Sequence, residues 1–324
     1  MEDRLQLGIQ IIPQMPPQEV VNTVQAAERM GFDYALICDE GFMPDPYVLL
    51  GVLAGKTQII RLGLVTNGYT RHPAVTANSL ATFNEISGGR AVVMLVAGGS
   101  MVLDPMGIPR EDALTVTAET MDILRLLWSG EPVSYQGKRY RLNRARLQMT
   151  QQEIPIWVAA RGPKMLEMAG QKADAVVVIA KADLGSALEI VDTGSAALGR
   201  HPMRIYMDTI ANTSEAIAHA ASSYPYILMD SPARMLHNLG LTENQVEQIR
   251  QAMKTGGPEA AGKLVTLDMI KRYQIAGTPQ ECTDAIRELV DAFRLDAFLL
   301  DIVSGGQEAN LRLMENVAAM VKPD

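Results

Sequence analysis

The sequence is poor in the residues on which many enzyme classes are built. It has two cysteines, Cys38 and Cys282, and four histidines, His72, His201, His219 and His237, in 324 residues. Two cysteines in unlike segments form no disulfide framework and predict a reduced, cytoplasmic chain. No histidine pairs with another, or with a cysteine, at ligand spacing, so no metal site is expected. No GxSxG occurs, which removes the hydrolase elbow. No GxxxxGK[ST] loop occurs and no GxGxxG follows the first apolar run, so a phosphate loop and the usual dinucleotide turn are both missing. Apolar runs never exceed strand length, which excludes a helical membrane span. The start, MEDRLQLGIQII, lacks a signal-peptide pattern. The net charge of −8 argues against nucleic acid, and no run of like charge forms a tail.

What is present is an apolar chain, 48% hydrophobic, whose strand-length runs alternate with helical segments. The runs are Leu5–Ile12, Tyr34–Cys38, Ile59–Val65, Ala91–Ala97, Ile154–Ala160, Ala175–Ala180, Met203–Ala211 and Asp296–Val303. This alternation predicts an α/β fold, a (β/α)8 TIM barrel, as one domain over residues 1–324. A doubly wound open sheet is the other candidate. Pro73 opens the helix after the third run and Gly88-Gly89 closes it. Ser214 is the expected cap of a later helix, and Thr278-Pro279-Gln280-Glu281 is a capping box. Two stretches break the rhythm. Residues 131–153, after the fourth strand, contain VSYQGKRYRL and read as a hairpin excursion with Gln136-Gly137 at its tip. Residues 224–276, after the seventh strand, read as a helical and loop-rich insertion near the barrel mouth. Its Tyr224, Tyr226, Met229 and Met235 fit either an apolar lid or ordinary core packing.

In such a barrel the C-terminal ends of the strands face the active site. That rule selects Gln10 and Ile12, Cys38-Asp39-Glu40, Thr66-Asn67, Gly98-Gly99-Ser100, Ala160-Arg161, Ala180-Lys181, Asn212 and Ser304. The set is rich in amides, small residues and glycine, which suits a large planar ligand held by its edges. Each candidate also has a plainer use. Asp39-Glu40 serves either a ligand or a helix start. Thr66-Asn67-Gly68 is either a contact surface or a turn, and Gly98-Gly99 either admits a ring or tightens a turn. His72 is a cap or a site residue. Lys181 is a phosphate ligand or a solvated charge, and Arg161-Gly162-Pro163 opens a helix whose free N–H groups favour an anion.

TNGYTRHPAVTANSLATFNEISGGRAV, the segment Cys38–Gly51 and AARGPKMLEMAG (Ala159–Gly170) together resemble the bacterial luciferase-like family of flavin and deazaflavin barrels. The likeness spans nearly the whole chain. It is strongest to the branch of coenzyme F420-dependent methylenetetrahydromethanopterin reductases, of which TNGYTRHPAVTA and IAGTPQE (Ile275–Glu281) are markers. The resemblance implies a homodimer with a deazaflavin, or alternatively FMN, lying across the strand ends. It implies a bulge with a non-prolyl cis peptide around Gly63-Leu64-Val65, the bed for the ring. It places Asp39 at the ring's polar edge, Thr66, Asn67, Gly98 and Gly99 against the ring, and Ala160, Arg161 and Lys181 near the phosphate tail.

Three positions depart from that branch. Gln10 stands where the reductases have glutamate, Ser100 where they have aspartate, and Glu40 where relatives often have histidine. Neutral residues at Gln10 and Ser100, both on the substrate side with His72, remove two general acids. The expectation is therefore an F420-dependent hydride transferase acting on something other than methylenetetrahydromethanopterin, with Glu40, beside Asp39, as the remaining proton-handling candidate. An FMN-dependent monooxygenase and a non-catalytic flavin-binding barrel are the alternatives.

Overall fold

The computed structural model of the chain describes residues 4–303 and 306–321. Ser304, one of the predicted strand-end residues, lies outside them. The chain runs β1 (Gln6–Ile11), α1 (Pro17–Arg29), β2 (Tyr34–Cys38), α2 (Pro46–Lys56), β3 (Arg61–Thr66), α3 (Pro73–Ser87) and β4 (Ala91–Leu95). A short α4 (Ser100–Leu103) and α5 (Ala113–Trp128) precede the hairpin β5 (Val133–Gln136) and β6 (Arg141–Ala145). Then come β7 (Ile156–Ala159), α6 (Pro163–Lys172), β8 (Ala175–Val178), α7 (Leu184–Ala196) and β9 (Met203–Asp208). Four helices follow: α8 (Ser214–Asp230), α9 (Ala233–Asn238), α10 (Glu243–Gly262) and α11 (Leu267–Tyr273). The chain closes with α12 (Pro279–Phe293), β10 (Ala297–Ile302) and α13 (Gln307–Val321).

β1, β2, β3, β4, β7, β8, β9 and β10 form one closed barrel in sequence order, every pairing parallel. The open-sheet alternative is thereby excluded. Both faces of each strand are covered, one by the barrel interior and one by helices, which is why the strands are continuous apolar runs. Residues alternate between the two. Tyr34, Leu36, Cys38, Val65, Val92, Met94, Trp157, Val177, Ile205 and Leu299 fill the interior. Their neighbours Ala35, Ile37, Leu64, Val93, Val158, Val176, Tyr206 and Phe298 pack outward against the helices.

Local chemistry sets the element ends. Pro at the first turn starts α1, α2, α3, α6 and α12, where its missing donor leaves no bond unmade. Gly88, at φ 70°, takes the left-handed position that ends α3. The Thr278–Glu281 capping box forms as predicted. The α8 cap is Thr213 rather than Ser214, because its hydroxyl accepts from the Ala216 amide. β3 begins at Arg61 rather than Ile59, because Glu28 takes the amides of Gln58, Ile59 and Ile60 at 2.7, 2.7 and 3.0 Å.

The expected bulge at β3 is not there. No cis peptide occurs among the described residues, and Arg61–Val65 and Leu62–Thr66 pair without a break to β2 and β4. An unbroken ladder on both sides leaves no room for the extra residue that a bulge requires.

The foot of the barrel is tied by one repeated device. Asp33, Asp174 and Asp296, each just before a strand, accept from the amides of Leu7, Ile156 and Arg204 at the start of the preceding barrel strand. At the top, the hairpin is held by Glu119 of α5, whose buried carboxylate accepts from the amides of Lys138, Arg139 and Tyr140. Residues 224–276 pack around their own small core. Tyr224, Leu228, Met235, Leu239, Ile249 and Met269 join there with Ala180, which follows β8. Tyr224 and Met235 are thus core residues, whereas Tyr226 is exposed; the side chain of Met229 is outside the described set.

Candidate active site

The mouth of the barrel begins where the inward-facing positions run out of apolar residues. On β1, Gly8 and Gln10 face inward, opposite in phase to the outward Leu7, Ile9 and Ile11. Gln10 is 6% exposed. Its neighbour in register on β10 is Asp301, inward by the same alternation, since Ala297 and Leu299 fill the interior. The Gln10 Nε2 donates to Asp301 Oδ1 at 2.9 Å, while Gln10 Oε1 is buried without a partner. Burial pushes the Asp301 carboxyl up to about 7, helped by the charges of Asp208 and Glu40 and opposed by the Gln10 bond. Below these groups the floor is apolar: Val65 and Met207 are buried, and Val96, Ala159 and Ile179 pack against the same interior cluster.

Three acids converge on this side. Asp39 and Glu40 follow β2, and burial, then Asp39, raises the Glu40 carboxyl above its ordinary range. Burial, followed by the charges of Asp301, Glu40 and Asp39, pushes the Cys38 thiol well up, so Cys38 is an inert, protonated floor residue. Asp39 accepts from the hydroxyls of Thr66 and Thr70 at 2.9 and 3.3 Å. It does not cap α2; Asp45 does, accepting from the amides of Tyr47 and Val48.

The Thr66–Arg71 corner is built largely by its own side chains. Asn67 is buried, and its Oδ1 accepts from the amides of Tyr69 and Thr70 at 2.7 and 3.0 Å, an Asx turn. His72 is the α3 cap, with Nδ1 accepting from the Ala74 amide at 3.2 Å, and its ring meets Tyr140 edge-on. Tyr140 in turn donates to the Gly68 carbonyl, so the hairpin braces the corner. Leu64 faces the helices and Val65 the interior. Gly98 has φ 79°, and an added Cβ would meet Leu103 at 2.9 Å and Tyr69 at 3.2 Å, whereas Gly99 and Ser100 stand open on the rim.

The opposite side of the mouth is basic. Ala160 is buried beside β7, and the carbonyl of Arg161 accepts from Arg234 of α9 at 2.9 Å. Arg234 also donates to the buried Asp183 at 2.7 Å, while its Nε and Nη1 are buried without partners. Lys181 follows β8 and is half-buried. Burial lowers its ammonium group, and the charges it meets are Asp208, Lys271, Glu288 and Cys282, toward β9, α11 and α12. Tyr273 of α11 feels charges from both sides: burial raises its phenol, opposed by Arg161 and aided by Asp208 and Asp301.

Of the strand-end residues, Gln10, Asp39, Glu40 and Arg161 stand around this mouth, together with Asp301, Arg234 and Tyr273, which the rule did not select. Asp301 had a signal: it is the one charge within FLLDI, at an inward position one residue before the strand's end. Arg234 had none, because its position depends on how α9 folds back. Two open clefts, of about 580 and 700 Å³, lie at the other end of the barrel, around Arg61, Asp174 and Gln6, where barrel residues serve stability rather than chemistry.

The profile of the luciferase-like monooxygenase family matches residues 5–295. The chain belongs to the luciferase-like family. It is 36% identical over 303 residues to the 5,10-methylenetetrahydromethanopterin reductase of Archaeoglobus fulgidus, covering 89% of this chain and 91% of that one. It is 34% identical over 294 residues to the enzyme of the same name from Methanolobus tindarius, covering 88% and 90%. Among solved structures, it is similar to the coenzyme F420-dependent tetrahydromethanopterin reductase from Methanopyrus kandleri, with TM-score 0.85 and 29% identity over 96% and 97% of the two chains. The protein is an oxidoreductase of the luciferase-like barrel type.

Proposed function

We propose that this protein is a reductase that uses coenzyme F420 to deliver hydride to an electrophilic carbon of a small acceptor. The observation that carries the reading is the pairing at the mouth of an apolar floor with Asp301, a carboxyl group held protonated toward neutral pH. Each hydride added to a C=N or C=O group is matched by one proton, and such a carboxyl group supplies it. The relatives named above support F420 as the hydride source.

The residues fit such a cofactor. Val65, Val96, Ile179 and Met207 would lie under a planar ring. Asp39, fixed by Thr66 and Thr70, would meet its polar edge. Arg234, with two unpartnered N–H groups beside the Arg161 carbonyl, would hold the phosphate of the tail. When bound, the deazaflavin supplies two electrons as hydride. The chain's own share is to position both partners, exclude water and deliver the proton.

The acceptor to test first is methylenetetrahydromethanopterin. Although Gln10 and Ser100 are neutral, Asp301 places an acid beside Gln10. The experiment mixes purified protein with reduced F420 and a panel of methylenetetrahydromethanopterin, methylenetetrahydrofolate and acetone, and follows oxidation of the cofactor. Turnover of an acceptor is expected. FMN binding without F420 binding defeats the reading.

We further propose a homodimer through α2 and α3. Val48 and Val52 are 68% and 45% exposed, Gly51 and Gly55 leave the same α2 face open, and Val75 and Ile86 extend the patch on α3. Light scattering that gives twice the chain mass is the expected result.

A further inference from the structure

We propose that Asp301 is the catalytic proton donor of this site and that Gln10 is the positioning residue that holds its carboxyl group, an inference that rests on the hydride-transfer reading above. Three observations lead to it. Asp301 and Gln10 are register partners on β10 and β1, and both face into the mouth. Gln10 fixes one carboxyl oxygen at 2.9 Å. The Gln10 Oε1, on a side chain 6% exposed, has no donor within the protein, so the amide that fixes Asp301 keeps an unsatisfied acceptor beside it.

Gln10 itself carries no acid, and the carboxyl group at this point of the mouth belongs to its register partner Asp301, one strand over. An amide cannot exchange a proton, but it can orient a neighbour that does. The groups facing Asp301 favour its neutral form: Asp208 on β9, Glu40 and Cys38 at the end of β2, and Tyr273 on α11. Burial contributes most of that preference, and the Gln10 bond opposes it.

Hydride adds to the acceptor carbon with its electron pair, and the carbon–heteroatom bond gives up one pair to the heteroatom. The Asp301 O–H bond breaks and its proton joins that heteroatom. The Asp301 carboxylate would regain its proton from the second hydrogen that a bound reduced deazaflavin would supply, directly or through solvent. The net change is two electrons and two hydrogen nuclei moved to the acceptor.

The test has two arms, both on the full chain. The first needs no cofactor: infrared difference spectra between pH 5 and 9 for wild type and Asp301→Asn, a variant that keeps the shape and the Gln10 contact. A protonated-carboxyl band that persists at pH 6, titrates near neutrality and is absent from the variant is expected. Identical spectra overturn the proposal. The second arm follows single-turnover reduction of the three acceptors by reduced F420. Asp301→Asn should slow it about 10²- to 10⁴-fold with F420 affinity unchanged, and Asp301→Glu should restore part of the rate. Gln10→Ala should shift the pH profile of the rate, which a merely structural role would not do. Wild-type rates and an unchanged pH profile in Asp301→Asn overturn the donor role alone. Binding of F420 with no acceptor reduced overturns the hydride-transfer reading, and the donor role with it.

Discussion

Replacing Asp301 by asparagine should change how stability depends on pH, and the size of the change follows from the site. In the folded chain the carboxyl sits at about 7, against an ordinary 3.8, because it is buried at the mouth among Asp208 and Glu40. The folded state therefore holds a proton that the unfolded chain has already released. Between about pH 4 and pH 7 the folded state binds more protons, so stability falls as pH rises. A difference of about 3 pH units, at about 1.36 kcal/mol per unit, is worth about 4 kcal/mol at full ionisation. Below pH 4 both states are protonated and the cost disappears. Asparagine keeps the volume and the acceptor for Gln10 but cannot ionise. Urea unfolding of both proteins from pH 4 to pH 8 should show the variant gaining on the wild type by about 2–4 kcal/mol at the upper end. Asp208, raised to about 6 by burial, contributes a smaller total cost over a narrower pH window in both. Parallel curves for the two proteins would refute the reasoning, because they would place Asp301 in an ordinary, solvated setting.

Other consequences are simpler to state. Arg234→Ala should weaken F420 binding about 10- to 100-fold, the loss of a charged hydrogen bond to phosphate, read by fluorescence titration. Asp174→Ala, which frees the Ile156 amide and two arginine partners at the foot of the barrel, should lower stability by about 1–3 kcal/mol with activity per folded molecule unchanged. Gly137→Ala should cost about 1–3 kcal/mol in thermal or urea unfolding, because the new methyl meets the Glu119 carboxylate at 2.3 Å. Val52→Glu, on the open face of α2, should convert a dimer into a monomer in light scattering.

The barrel was legible because each strand is buried on both sides, and a strand so placed is a plain apolar run. The hairpin at Gln136-Gly137 and the capping box at Thr278 were legible for the same reason: their causes are local. What failed was either borrowed or non-local. The bulge expected at Gly63–Val65 came from resemblance, and the unbroken ladder there contradicts it. The β3 start moved because Glu28, 30 to 32 positions away, claims the preceding amides. Asn67 and His72 proved to satisfy backbone donors in their own turn and helix, which the sequence offered as one of two uses. Asp301 is the most instructive case. Counting by position said that an acid had gone from β1; register shows its neighbour on β10 carrying one. Parallel pairing between the first and last strands is invisible until the barrel closes.

The central claim is that the mouth binds a deazaflavin for reduction chemistry. Equilibrium titration of the purified chain with F420 and, separately, with FMN tests it most directly. Saturable F420 binding that weakens on Arg234→Ala, with FMN binding much weaker, is the predicted result. Tight FMN binding with none for F420 would contradict the account.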